Sequence, residues 1–124
     1  MTRTKILLNF LALITVLSLG TFTQAQNQSS DLKPLDAKYV CMITNQEFAK
    51  EQIPVEVEGK TYYGCCEMCK AKIKNNPGSR VAIDPVSGNQ VDKAVAVIGA
   101  APDGSIFYFE NEGNLSQFNP TAAN

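Results

Sequence analysis

The stretch TYYGCCEMCK, Thr61 to Lys70, holds three of the chain's four cysteines, two of them side by side. Thr61-Tyr62-Tyr63 favours a strand. Upstream, Pro54-Val55-Glu56-Val57-Glu58 alternates apolar and charged residues, with Gly59-Lys60 as a turn between the two runs, so residues 54–63 read as a hairpin. After Gly64 the text changes. Cys65 to Asn76 is rich in helix formers and ends in Asn75-Asn76-Pro77-Gly78, a stop signal. The cysteines therefore fall at a strand-to-helix junction. On a helix begun at Cys65, Cys65 and Cys69 share a face one turn apart, while Cys66 is rotated by about 100°. Cys41, in Tyr39-Val40-Cys41-Met42, can close on that pair from a loop or strand end.

Three sulfurs so arranged suit a soft metal. Thiolates are preferred by copper(I) and zinc, and a helix N-terminus stabilises thiolate through its dipole and unpaired N–H groups. The chain has no histidine. Ser-His and Cys-His catalytic pairs and imidazole-based hydrolase sites are thereby excluded within it. Gly88, Gly99 and Gly104 stand isolated, as turn glycines rather than a phosphate loop. A binding protein is expected, not an enzyme. Copper(I) is placed slightly ahead of zinc because histidine is absent and methionines lie close in the sequence; three thiolates alone also suit it, whereas structural zinc usually wants a fourth ligand. Candidates for that fourth place are Cys66, the thioethers of Met42 or Met68, the carboxylate of Glu67, or a residue of a second chain, which would make the bound form a homodimer.

Working outward, residues 1–25 read as a secretion signal: Arg3 and Lys5, then ILLNFLALITVLSLG, then small residues at Thr23 and Ala25. The apolar run is short for a membrane span and is interrupted by Asn9, Thr15 and Ser18. A secreted or periplasmic protein is expected, meeting a membrane only through that signal. Without Arg3 and Lys5 the chain keeps nine basic residues against twelve acidic. That balance offers no footprint for nucleic acid. Residues 26–35 read as a flexible lead-in, 36–79 as a cysteine-bearing unit, 80–120 as a second unit and 121–124 as a tail. So small a chain gains much from a metal or disulfide staple.

The order Cys41, Tyr62-Tyr63-Gly64-Cys65, Cys69, then a short helix ending in Asn76-Pro77, resembles the TRASH and YHS domains. The resemblance implies an α+β fold of small zinc-finger-like (treble-clef-like) hairpin-and-helix units. It also implies metal trafficking, buffering or resistance with a metal-handling protein as partner, and ligands at Cys41, Cys65 and Cys69. Asp84-Pro85-Val86-Ser87-Gly88-Asn89 resembles the opening of a YHS domain, with Ser87 and Asn89 where that family has cysteine and methionine. Phe107-Tyr108-Phe109-Glu110 through Asn114 and Phe118 resembles the family's aromatic strand and helix. A tandem is implied, its second copy stripped of cysteine, with Glu110 opposite Cys65, Asn114 opposite Cys69 and Ser87 opposite Cys41. Asp84 and Glu110 are expected on a solvated surface, as weak ligands of a hard cation at most. Val95, Val97, Ile98, Ile106, Phe107 and Phe109 are expected in the core.

Two other readings stay open. A bridge from Cys41 to another cysteine would make a small disulfide-stapled binding module. Cys66 and Cys69, as C-E-M-C, have the spacing of a thiol-disulfide redox pair.

Overall fold

The hairpin forms as the alternation predicts. In the computed structural model, which describes residues 30–122, strands Ile53–Val57 (β4) and Lys60–Gly64 (β5) pair antiparallel with Val57 opposite Lys60. Glu58 and Gly59 between them have φ of 52° and 75°, the left-handed pair that a two-residue loop requires. A nine-residue helix, Glu67–Asn75 (α1), follows β5 and ends at Asn76, whose side chain accepts from Gly78 N–H as Pro77 turns the chain away. The helix therefore starts two residues later than expected, with Cys66 at its N-cap and Cys65 before it.

Three strands precede β4. Lys33–Leu35 (β1) pairs antiparallel with Val97–Ala100 (β8), and Val40–Cys41 (β2) pairs with Gln46–Glu47 (β3). The end of the presumed flexible lead-in is thus an ordered strand, because Leu32 beside it is buried with Ala101, Phe109 and Leu115. After α1 come Val81–Ile83 (β6) and Gln90–Asp92 (β7), again antiparallel. Then β8 pairs with Ile106–Phe109 (β9), and a short helix, Glu112–Gln117 (α2), closes the fold. The architecture is mixed α and β, with small antiparallel sheets and two helices among the described residues. The signal segment 1–25 lies outside those residues. Within them, no helix is long and apolar enough to cross a membrane.

One apolar cluster joins residues on both sides of Gly78: Val40, Met42, Val55, Tyr62 and Ile73 from the first part, and Val91, Ile98 and Tyr108 from the second. Polar bonds lace the same junction. Tyr62 donates its hydroxyl to Asp92 at 2.9 Å, and Lys60 pairs with Asp92 at 2.7 Å. Of the expected core residues, Ile98 and Phe109 are fully buried, but Val95 is 70% exposed because it sits in the turn after β7.

Candidate metal centre

The site is built where β2, the end of β5 and the first turn of α1 meet. Met42 N–H donates to Tyr63 C=O at 2.9 Å, which holds the end of β2 beside β5 and so brings Cys41 next to Cys65. The chain then turns back through Asn45, whose φ is 51° and whose N–H donates to Cys41 C=O at 2.8 Å. Gly64 sets the other wall. A Cβ there would stand 3.0 Å from Cys69 Cβ and 3.3 Å from the Lys70 nitrogen, so only glycine lets α1 pack this closely on β5.

As a result Cys41, Cys65 and Cys69 place their sulfurs within 4.8 Å of one another, with Cys65 and Cys69 at 3.6 Å. Around one ion at a metal–sulfur distance of about 2.3 Å, ligand sulfurs lie about 3.8 Å apart in a tetrahedron and about 4.0 Å apart in a planar triangle. The triad brackets those values, so a metal fits with little movement. All four cysteines are free thiols, so the disulfide-stapled alternative is not the arrangement present. Cys65 and Cys69 meet because the bend at Cys65, just after β5, turns its sulfur to the first turn of α1, not because both ride one helical face.

The charge on the triad is unevenly held. Burial pushes the Cys41 thiol up, but the hydroxyl and N–H of Thr44 and the N–H groups of Ile43 and Cys65 outweigh it and bring the pKa down to about 6. Burial pushes Cys69 up to about 12, helped by the neighbouring thiols. Cys65 is raised as well, chiefly by Cys41. The first negative charge therefore sits on Cys41, and the other protons leave when a cation replaces them.

A buried cation stands behind Cys41. Lys93 is 7% exposed and donates to Met42 C=O at 2.6 Å and to Asn45 Oδ1 at 3.3 Å, its ammonium 5.0 Å from the Tyr108 ring centroid. Tyr108 donates its hydroxyl to the same Asn45 oxygen at 3.0 Å. No carboxylate pairs with Lys93 among the described residues. Burial lowers its pKa, and the negative charge of Cys41 works against that. The sequence reading missed Lys93, Asn45 and Tyr108, for a lysine after an aspartate looks like surface until its stem is seen crossing the core.

The other candidate residues fall outside the triad. Cys66 is exposed at the mouth, its sulfur 3.6 Å from that of Cys69. Met42 is packed in the apolar core, Met68 is 82% exposed, and the exposed Glu67 lies 3.7 Å from the Lys70 ammonium. The thioethers and the carboxylate thus have other surroundings than the three thiols.

A turn with similar hydrogen bonding lies in the second part of the chain. Asp84 N–H pairs with Asn89 C=O, Gly88 N–H donates to Asp84 C=O at 2.8 Å, and Gly88 has φ of 75°, as Asn45 does relative to Cys41. In that turn Asp84 takes the place that Cys41 has in its own, its C=O accepting from the residue four positions on. Its carboxylate is fully buried rather than solvated: Oδ1 accepts from the N–H groups of Val86 and Ser87, and Oδ2 from Glu110 N–H and Asn114 Nδ2 at 2.8 Å each. With both oxygens occupied by donors, this cluster is complete without a cation, which corrects the expectation of a weak hard-cation ligand at Asp84.

Comparison with models of protein families, with curated proteins and with solved structures finds no match for this chain. The site therefore rests on its own geometry: a mixed α and β fold carrying a cluster of three free thiols able to take a metal ion.

Proposed function

We propose that the protein is an extracytoplasmic carrier or buffer of a soft transition metal, copper(I) ahead of zinc, held by Cys41, Cys65 and Cys69. The observation that carries this reading is the convergence within 4.8 Å of three thiols, from β2, from the bend between β5 and α1, and from α1 itself. Copper(I) is favoured because three thiolates complete its shell and the chain has no histidine to add. Metal trafficking, buffering or resistance follows, with no reaction catalysed and a metal-handling protein as the receiving partner. The kinship we infer is with the TRASH/YHS modules, as two zinc-finger-like hairpin-and-helix units in tandem. Support for the tandem comes from the matched turns at Cys41 and Asp84 and from the two N-caps, Cys66 and Asn111, whose φ values are −155° and −158°. Secretion or export to a periplasm is proposed from the signal-like segment 1–25 alone.

The test is metal content and free-thiol count on the chain from Gln26, purified anaerobically. About one copper or zinc per chain is expected from a single triad, lost in Cys65→Ser and Cys69→Ser. No metal and no free thiols would overturn the reading.

One observation favours a second reading. Cys66 is exposed, with its pKa lowered by the N–H groups of Cys69 and Met68, whereas the thiol of Cys69 is buried and raised to about 12. That is the asymmetry of a thiol-disulfide exchanger. Catalysed reduction of insulin disulfides that is abolished in Cys66→Ser would establish it.

A further inference from the structure

The four sulfurs form a series from the inside of the protein to its surface. Cys41 is fully buried, Cys69 is 7% exposed, Cys65 is half-buried and Cys66 is exposed. Cys66 Sγ is as close to Cys69 Sγ as Cys65 Sγ is, at 3.6 Å, yet it stands outside the triad. A metal held by the three inner sulfurs therefore has a fourth thiol within reach on the solvent side.

Cys66 also occupies a position that ordinary helix chemistry would fill differently. It is the N-cap of α1, and although the N–H groups of Cys69 and Met68 face its sulfur, the side chain makes no capping hydrogen bond of ordinary geometry. At the matching position of α2, Asn111 accepts from Asn114 N–H at 2.8 Å. Cysteine is a poor N-cap beside asparagine or serine. The chain thus carries at the mouth of the site a thiol that serves the helix poorly and meets the cluster directly. Beside it, Met68 is 82% exposed, leaving this rim open to an approaching molecule.

We propose that Cys66 is the exit ligand of the site, through which copper(I) passes by ligand exchange to an acceptor that presents thiolates. This rests on the copper reading above. In the first step a Cys66–copper bond forms and the Cys41–copper bond breaks, the Cys66 proton being lost to solvent while Cys41 remains as thiolate beside Lys93. The ion moves outward onto Cys65, Cys66 and Cys69. Then acceptor thiolates bond to copper one after another as Cys69, Cys65 and last Cys66 leave, each departing thiolate taking up a proton. Copper stays in the +1 state throughout, and no electron is transferred. Cys66 provides a route outward from the buried Cys41 that leaves the fold intact.

The experiment uses the copper(I)-loaded chain from Gln26. Equilibrium affinity is measured by competition with bicinchoninate, and stopped-flow spectrophotometry follows transfer to excess dithiothreitol, the thiol acceptor, at the near-ultraviolet thiolate-to-copper absorption. Serine is a favoured N-cap, so Cys66→Ser keeps the helix. In that variant the affinity should stay within about threefold of wild type while the second-order transfer rate falls tenfold or more, the factor equivalent to one ordinary ligand step of 1.4 kcal/mol. An unchanged transfer rate would overturn the proposal, for Cys66 would then lie off the path. An affinity loss as large as that of Cys69→Ser would also overturn it, making Cys66 a resident ligand. Wild-type chain that takes up no copper(I) would instead remove the metal reading itself, and the exit ligand with it.

Discussion

Replacing Asp84 by asparagine separates the roles of the two geometrically matched clusters. The Asp84 carboxylate is fully buried and accepts four hydrogen bonds, two on each oxygen. Asparagine keeps one oxygen and turns the other into an amide that faces two N–H donors. Hydrogen bonds to a charged group are worth about 1.5–3 kcal/mol each, and the two stranded donors add their own penalty, while relief of the buried charge returns part of it. A net loss of about 3 kcal/mol is expected, a large share of the roughly 5–14 kcal/mol available to a domain of this size. The thermal midpoint should fall by about 10–20 °C. Burial pushes the Asp84 pKa up, but Asn114 and the N–H groups of Glu110, Val86 and Ser87 outweigh it, and the folded-state value lies below the ordinary one. A carboxyl depressed in this way contributes its stability in full above the unfolded value of about 3.9 and loses it as pH falls through the folded value. Wild type should therefore lose stability below about pH 4, and Asp84→Asn should lack that component. Urea melts from pH 2.5 to 7, with and without copper(I), measure both quantities. The metal stoichiometry should be unchanged. A variant within 1 kcal/mol of wild type, or one folded as well as wild type yet unable to bind metal, would refute the reasoning.

Gly64→Ala places a methyl 3.0 Å from Cys69 Cβ, so α1 must shift off β5; a cost of about 1–3 kcal/mol and a tenfold or greater loss of metal affinity are expected by melt and competition titration. Lys93→Met removes a buried ammonium that bonds Met42 C=O and Asn45 Oδ1. Lost bonds and relieved burial should nearly cancel in the metal-free protein, but the anionic metal–thiolate centre loses its counter-charge, so affinity should drop about tenfold, the factor that a screened pair energy of about 1.4 kcal/mol gives. Equal affinities of wild type and variant would show that Lys93 only fills space. Cys66→Ser should stabilise the reduced, metal-free chain by about 0.5–1 kcal/mol through a new cap bond; a thermal midpoint at or below that of wild type would contradict it.

Local pattern made part of the fold legible before any coordinates. The hairpin was legible over 54–63 from its alternation, although the turn falls at Glu58-Gly59, one residue before the expected Gly59-Lys60, and the end of α1 follows from Asn76-Pro77. The start of α1 was misplaced because Cys65 and Cys66 are neutral to helix formation, and only the fit of Gly64 against Cys69 decides where the turn begins. β1 was invisible, since Lys33-Pro34-Leu35 has no strand pattern and owes its order to β8, more than sixty residues away. Cys41, Cys65 and Cys69 were legible as a set through residue type and spacing. Their partners were not. Lys93 acts across the core on Met42, and Asp84 looked like one more surface aspartate, although the Asp-Pro-Val-Ser-Gly run that it opens is the kind of turn in which an aspartate binds the N–H groups two and three residues on.

The difference between the two clusters bears on how the metal is held. Small zinc-finger units are commonly unfolded without their ion, so most of the binding energy goes into folding. Here the turn after Cys41 is already pinned from the second part of the chain, by Lys93 on Met42 C=O and by Tyr108 on Asn45, and that second part is itself held by a saturated carboxylate at Asp84. The thiols are thus brought within reach of one another before an ion arrives. Preorganisation of this kind leaves the intrinsic affinity of the triad nearly intact, and it separates loading and unloading from folding. A carrier needs that separation, because it must give up its ion to a thiol acceptor without exposing its core. Copper(I) binding measured by calorimetry should then carry a small heat-capacity change, since little apolar surface is newly buried; a large negative value, as in folding coupled to binding, would mean that the second part does not hold the first in place.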